Sequence, residues 1–201
     1  MDADEREALE RELRRSFEVG DLQGTATAAI RAYGPELFGF LVGLARDADV
    51  ASELFSGACE KIWRGLPAFR WESSCRVWCY AIARHHFLHW ARDRDRRNRA
   101  VALSDAPLSQ LVQSIRSTTA IHLRTEVKDE FAKLRETLEA DDQLLLQLRL
   151  EGAMAWNDIA RVLAGEDAPA PSTREVAALR KRYERLKREL QELARKHQLL
   201  P

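Results

Sequence analysis

The chain has 201 residues, 45% of them hydrophobic, with 32 Lys and Arg against 32 Asp and Glu. That suffices for one large or two small packed cores and excludes disorder throughout, while zero net charge, taken whole, argues against a nucleic-acid binder. No apolar run reaches the roughly 18 residues of a membrane helix, the charged opening has no apolar signal core, and three cysteines are too few for a disulfide framework, so a cytoplasmic chain without membrane insertion is expected.

Apolar residues recur at spacings of three and four nearly throughout, which reads as all-α. Residues 1–24 form an acidic N-terminal helical extension, with a helix over 4–18 closed by Gly20; residues 1–30 hold 4 basic and 8 acidic groups. Helical patterns follow over 26–32 and 36–46, with Leu37, Phe38, Leu41, Val42 and Leu44 as the buried set. The next helix spans 50–63 and gives way to a turn through Gly65 and Pro67 to Trp71. From Ser73 or Ser74 a further helix carries Val77, Trp78, Ala81, Ile82, Leu88 and Trp90 on its apolar positions. It ends in a run containing Arg92, Arg94, Arg96, Arg97 and Arg99, and residues 31–100 hold 12 basic and 8 acidic groups. Residues 25–97 are expected to form one small helical domain.

Residues 98–125 lose periodicity and gain Ser, Thr, Gln and Pro107, the mark of a flexible linker holding a short helix near 108–115. A second small helical domain covers 126–201, with helices at 126–138, 141–150 and 156–163. Residues 164–171 include Gly165, Pro169 and Pro171 and cannot be helical. Ser172 or Thr173, with Glu175 behind it, caps a last helix running to about 198. The final block, 171–201, holds 9 basic and 4 acidic groups, against 7 and 12 in residues 101–170. Neutrality is therefore an alternation of acidic and basic blocks, and two separate basic surfaces are expected.

A supporting helix, a short helix, a break and a basic helix is the order of a helix-turn-helix reader of DNA. The last helix would turn Arg174, Arg180, Lys181, Arg182 and Arg185 outward and Val176, Leu179, Tyr183, Leu186 and Leu190 inward. An amphipathic helix contributing half of a coiled coil fits the same spacing, and charge alone leaves both readings open. Cys75 and Cys79 followed by His85, His86 and His89 invite a metal site. On a continuous helix, however, Cys75 and His86 are about 16 Å apart along the axis, so no metal and no cofactor is expected. No nucleophile constellation and no Gly-rich phosphate loop is present, so no catalytic residue is assigned. Phe69 and Trp71, taken alone, are corner or core residues.

The runs Tyr33-Gly34-Pro35-Glu36-Leu37, Ala51-Ser52-Glu53-Leu54, Trp63, Phe69-Arg70-Trp71-Glu72-Ser73-Ser74 and Trp78-Cys79-Tyr80-Ala81-Ile82-Ala83-Arg84, with the arginine run, resemble region 2 of bacterial extracytoplasmic-function sigma factors, a subfamily of the sigma-70 family. Residues 144–152 and 156–163 resemble region 4 of the same family. The resemblance implies binding to core RNA polymerase, both clamp helices and flap, with Asp49, Glu53, Leu54, Ser56 and Glu60 on the clamp. It implies minus-ten recognition and melting by Phe69, Arg70, Trp71, Ser73 and Ser74, which would hold a flipped base, and by Arg76, Arg84, His85, His89 and Arg92 facing the DNA. It implies minus-thirty-five recognition by Ser172, Thr173, Arg174, Arg180, Lys181, Arg182 and Arg185. Capture of unstacked bases and a helix in the major groove are the physical requirements of those two tasks.

The chain departs from the family at two places. Where the family carries a Gln-Glu pair in the clamp-binding helix, Ser56 and Gly57 stand here. A divergent contact surface accounts for this, and the alternative is phosphorylation of Ser52 or Ser56 by a Ser/Thr kinase, which would restore roughly two negative charges. The other departure is the turn over 164–171, longer than the family's, which leaves the base-contact register of the last helix open. An anti-sigma factor is a further candidate partner. The competing functions are a sigma-like adaptor or decoy and a dimeric helix-turn-helix repressor; an enzyme is not expected.

Overall fold

The computed structural model describes residues 1–92, 106–122, 138–165 and 168–196, and every regular element among them is helical. The chain divides into two compact units, Met1–Ile121 and His122–Pro201. The expected helix at 126–138 and the arginines at 94, 96, 97 and 99 lie outside the described residues.

In the first unit α1 spans Ala3–Glu18, opened by a reciprocal cap in which the Glu5 N–H donates to Asp2 Oδ1 (2.8 Å) and the Asp2 N–H to Glu5 Oε2 (2.9 Å). Such pairing satisfies N–H groups that the first helical turn leaves free. Gly20, at φ +87°, turns the chain into α2, Leu22–Ala45, capped by Asp21 on the Gly24 N–H. The sequence pattern splits α2 at Pro35, but the helix continues through it. Tyr33, Gly34, Leu37 and Phe38 are buried on both sides of the exposed proline, and their packing outweighs the one backbone hydrogen bond that proline forfeits.

Arg46 adopts the left-handed conformation at φ 56° and ends α2, and Asp47 caps α3, Ala48–Gly65. A short 3-10 turn, Leu66–Ala68, leads to residues 69–74 and then to α4, Cys75–Arg92. The core of this unit gathers Ile30, Tyr33, Leu37, Leu41, Leu54, Phe55, Ile62 and Leu66, and all of Cys75–Ala83 on α4 is buried among them. Of the expected buried set on α2, Val42 and Leu44 are only half-buried.

The expected short linker helix is α5, Ala106–His122, and it belongs to the first unit. Leu108, Val112 and Ile115 form its buried stripe. Gly34 admits Ile115, since a Cβ there would lie 2.6 Å from the Ile115 Cδ1 atom.

In the second unit α6, Ala140–Leu146, widens into a π turn over Gln147–Glu151. The turn is closed by the Gly152 N–H on the Gln147 carbonyl (3.0 Å) and the Met154 N–H on that of Leu148 (3.1 Å). Then come α7, Trp156–Ala164, and α8, Thr173–Lys196. Leu145, Leu146, Leu148, Ile159, Val162, Val176, Tyr183 and Leu186 make the core, and Trp156 meets Tyr183 edge-on at 5.3 Å.

Candidate nucleic-acid and polymerase interfaces

Residues 69–74 form a corner rather than an open loop. The Phe69 ring stacks on Trp78 (4.6 Å) and leans on Trp71 (4.8 Å), so it is a wall of the corner and not a free platform for a base. Trp71 is half-buried at φ 57°, a region that costs a bulky side chain about 1 to 3 kcal/mol and often marks a working site. Its indole N–H is enclosed and has no hydrogen-bond partner. Arg70 is exposed. Ser73 Oγ donates to the Ser74 carbonyl (3.2 Å), and Ser74 Oγ accepts the Val77 N–H (3.2 Å), so both serines help start α4.

Arg76, expected to face DNA, is 5% exposed. Its Nε and Nη2 both donate to Glu36 Oε2, at 2.9 and 2.6 Å, and its guanidinium lies over the Tyr80 ring. A buried guanidinium needs an anion, and Glu36 on α2 supplies it, so Arg76 joins two helices instead of reaching outward. The outward face of α4 comes more than two turns later. His85, His89 and Arg92 are exposed and lie at i, i+4 and i+7, one stripe along the helix, with Arg84 half-buried at its edge.

His86, next to that stripe, turns inward against Gly57 of α3, where a Cβ would sit 2.3 Å from its Nε2. Burial, with Lys61, His89 and His85 nearby, lowers its pKa from 6.5 to about 4. The unfolded chain therefore takes up this proton first as the pH drops. The stabilising share of neutral His86 is complete above about pH 6.5 and is lost progressively down to about pH 4. The Tm of the first unit should accordingly fall more steeply between pH 7 and 4 in the wild type than in His86→Leu. Equal slopes in the two proteins would remove His86 from the acid response.

On α3 the expected polymerase contacts divide. Asp49 and Glu53 are exposed, and Glu60 is half-buried in an ion pair with Arg64 (2.7 Å). Leu54 and Ser56 are interior. Leu54 is on the core side with Ala58 and Ile62, while the Ser56 hydroxyl donates to the Ser52 carbonyl (3.0 Å) and accepts from Arg116 of α5 (3.5 Å). Ser52 and Ser56 are 7% and 6% exposed, so a kinase finds neither hydroxyl on the surface of this fold.

On α8 Ser172 is the cap: Glu175 N–H donates to its Oγ (3.3 Å), while its own N–H (2.7 Å) and hydroxyl (2.6 Å) donate to Glu175 Oε2. These bonds hold the Glu175 carboxyl below its usual pKa. Thr173, Arg174, Arg180 and Lys181 are exposed, and Arg185 is exposed with Glu189 at 3.6 Å. Arg182 is turned back into an ion pair with Asp142 of α6, which removes it from the outward set. Val176, Tyr183 and Leu186 pack inward, with Leu179 and Leu190 half-buried. Sequence reasoning missed Asn157 and Arg161 of α7, which line a notch with Pro171, Thr173 and Arg180; their i, i+4 spacing on the polar side of α7 was the available signal.

Cys59, Cys75 and Cys79 are free and buried. Burial raises the Cys59 pKa, and a hydrogen bond with Cys75 together with burial raises that of Cys79, so Cys59 and Cys79 stay protonated. Among the described residues no cluster of three His, Cys, Asp or Glu side chains could hold a metal, and no helix is long and apolar enough to cross a membrane.

Residues 29–97 match the family model of sigma-70 region 2. The chain is 28% identical over 143 residues to the RNA polymerase sigma factor YlaC of Bacillus subtilis (strain 168), covering 66% of this chain and 76% of that protein. It is also 28% identical over 138 residues to the RNA polymerase sigma-H factor of Pseudomonas aeruginosa, covering 65% and 70%. The match at residues 29–97 and these relatives support a member of the sigma-70 family of the extracytoplasmic-function type, with a sigma factor's role in transcription initiation.

Proposed function

We propose that this sigma factor binds core RNA polymerase through the exposed carboxylates of α3, Asp49 and Glu53 with Glu60 beside them. It reads and melts the minus-ten element with residues 69–74 and the outer stripe of α4, and it reads the minus-thirty-five element with the start of α8. The observation that carries this reading is the placement of the outward cations and imidazoles. His85, His89 and Arg92 form one stripe on α4, and Arg174, Arg180, Lys181 and Arg185 lie on α8. Arg92 can pair with a phosphate and the imidazoles can hydrogen-bond along the backbone beside it, and the first turns of a capped helix fit the major groove, where Arg and Lys discriminate bases. Phe69, Arg76, Leu54, Ser56 and Arg182 act from within, by shaping these surfaces.

Zero net charge makes the free chain a weak DNA binder, so that specific contact depends on polymerase holding both readers on one promoter. The test is run-off transcription with core polymerase on genomic fragments. Promoter-specific products are expected, and their absence would overturn the proposal. On a promoter so found, Arg180→Ala should weaken holoenzyme binding by about tenfold, with the loss confined to templates that keep the minus-thirty-five element. A loss of the same size on templates lacking that element would remove Arg180 from base reading.

A further inference from the structure

The N-terminal helix α1 carries Glu10, Leu13 and Phe17 at i, i+3 and i+7, on one face. Leu13 is buried. The Glu10 carboxylate accepts three hydrogen bonds: from the Tyr33 hydroxyl (2.7 Å), the Cys75 N–H (2.7 Å) and the Arg76 N–H (2.9 Å). Cys75 and Arg76 are the first two residues of α4, whose third N–H, that of Val77, goes to Ser74 Oγ. The opening turn of α4 is therefore capped jointly by a local serine and by a carboxylate 65 positions earlier in the chain. A carboxylate there also meets the positive end of the helix dipole.

Two turns along α1, Phe17 meets Trp71 edge-on at 5.6 Å. Trp71 is the residue held in the left-handed conformation with an unpartnered indole N–H. One face of α1 thus grips the 69–74 corner twice, at its exit through the α4 cap and in its middle through the Trp71 ring.

We propose that Glu10 is a positioning residue for promoter melting. Acting through the first turn of α4, it holds residues 69–74 in the shape that receives an unstacked base. This rests on the reading of that corner as the base-capturing element. Without Glu10, the Cys75 and Arg76 N–H groups and the Tyr33 hydroxyl lose their common acceptor, and the turn that carries the corner frays. The α3 carboxylates stay in place, because α1 packs on α2 and α4.

The test uses holoenzyme assembled from the full chain and core polymerase. The DNA is a fork junction whose single-stranded end is the minus-ten segment of a promoter the wild type opens. Glu10→Ala should lower fork affinity by about tenfold while core affinity stays within about twofold. Glu10→Gln, which keeps one carbonyl acceptor, should fall between Glu10→Ala and the wild type. Unchanged fork affinity in Glu10→Ala, or an equal loss of fork and core affinity, overturns the inference. Arg70→Ala and Trp71→Ala separate the two levels. If both leave fork affinity intact, the reading of the corner fails and the inference with it. If they lower it and Glu10→Ala does not, the inference alone fails.

Discussion

Arg76→Ala should destabilise the first unit by about 3 kcal/mol, measured as a shift of the urea midpoint at constant slope. The guanidinium is buried, and it leaves behind a Glu36 carboxylate that also receives the Tyr80 hydroxyl (3.3 Å). Loss of one partner from a buried pair is costly because the other keeps its charge without compensation. Here the value sits at the lower end of the usual range, since the Glu36 side chain is 31% exposed and can recruit water. Glu36→Gln should destabilise as well, because it removes the carboxylate that accepts two bonds from the buried guanidinium. If Arg76 instead contacted DNA directly, Arg76→Ala would lose promoter binding with an unchanged urea midpoint, and that pattern would refute the assignment.

Gly57→Ala should destabilise by about 1 to 2 kcal/mol, although alanine is the better helix former. The new methyl would lie 2.3 Å from His86 Nε2, so the half-buried imidazole has to move aside. In a His86→Ala background the sign should reverse, with Gly57→Ala stabilising by up to about 1 kcal/mol through helix propensity. Thermal unfolding of the four proteins gives the coupling, and an additive cycle would sink the explanation. The pair also gives a physical reason for the departure of α3 from its family. An imidazole from α4 fills the space beside position 57, and Arg116 of α5 reaches the neighbouring Ser56.

Helical periodicity made the element order readable, and local chemistry made some ends readable too. The Ser172 and Glu175 cap lies within four residues, so sequence held all of it. Pro35 was misleading because tolerance of proline is decided by burial on either side, which no local pattern reports. Arg76 reads as an outward residue on its charge and its place in the resemblance, yet its partner Glu36 is 40 positions away. Leu54 and Ser56 fell inside for a similar reason: a resemblance transfers positions, while burial depends on what this chain packs over them, here the core and α5. Arg182 and Asp142 repeat the lesson in the second unit, and Glu10 was invisible for want of any local signature.

The remote cap on α4 has a kinetic consequence. Most helix starts are completed by residues a few positions away and can form as soon as they are made. The start of α4 instead waits for closure of a long loop, a step whose entropy cost comes before its reward. During synthesis Glu10 precedes Cys75 by 65 residues, roughly 3 to 13 s at ordinary elongation rates. The corner at 69–74 and the first turn of α4 are consequently among the last parts of the first unit to reach their native shape.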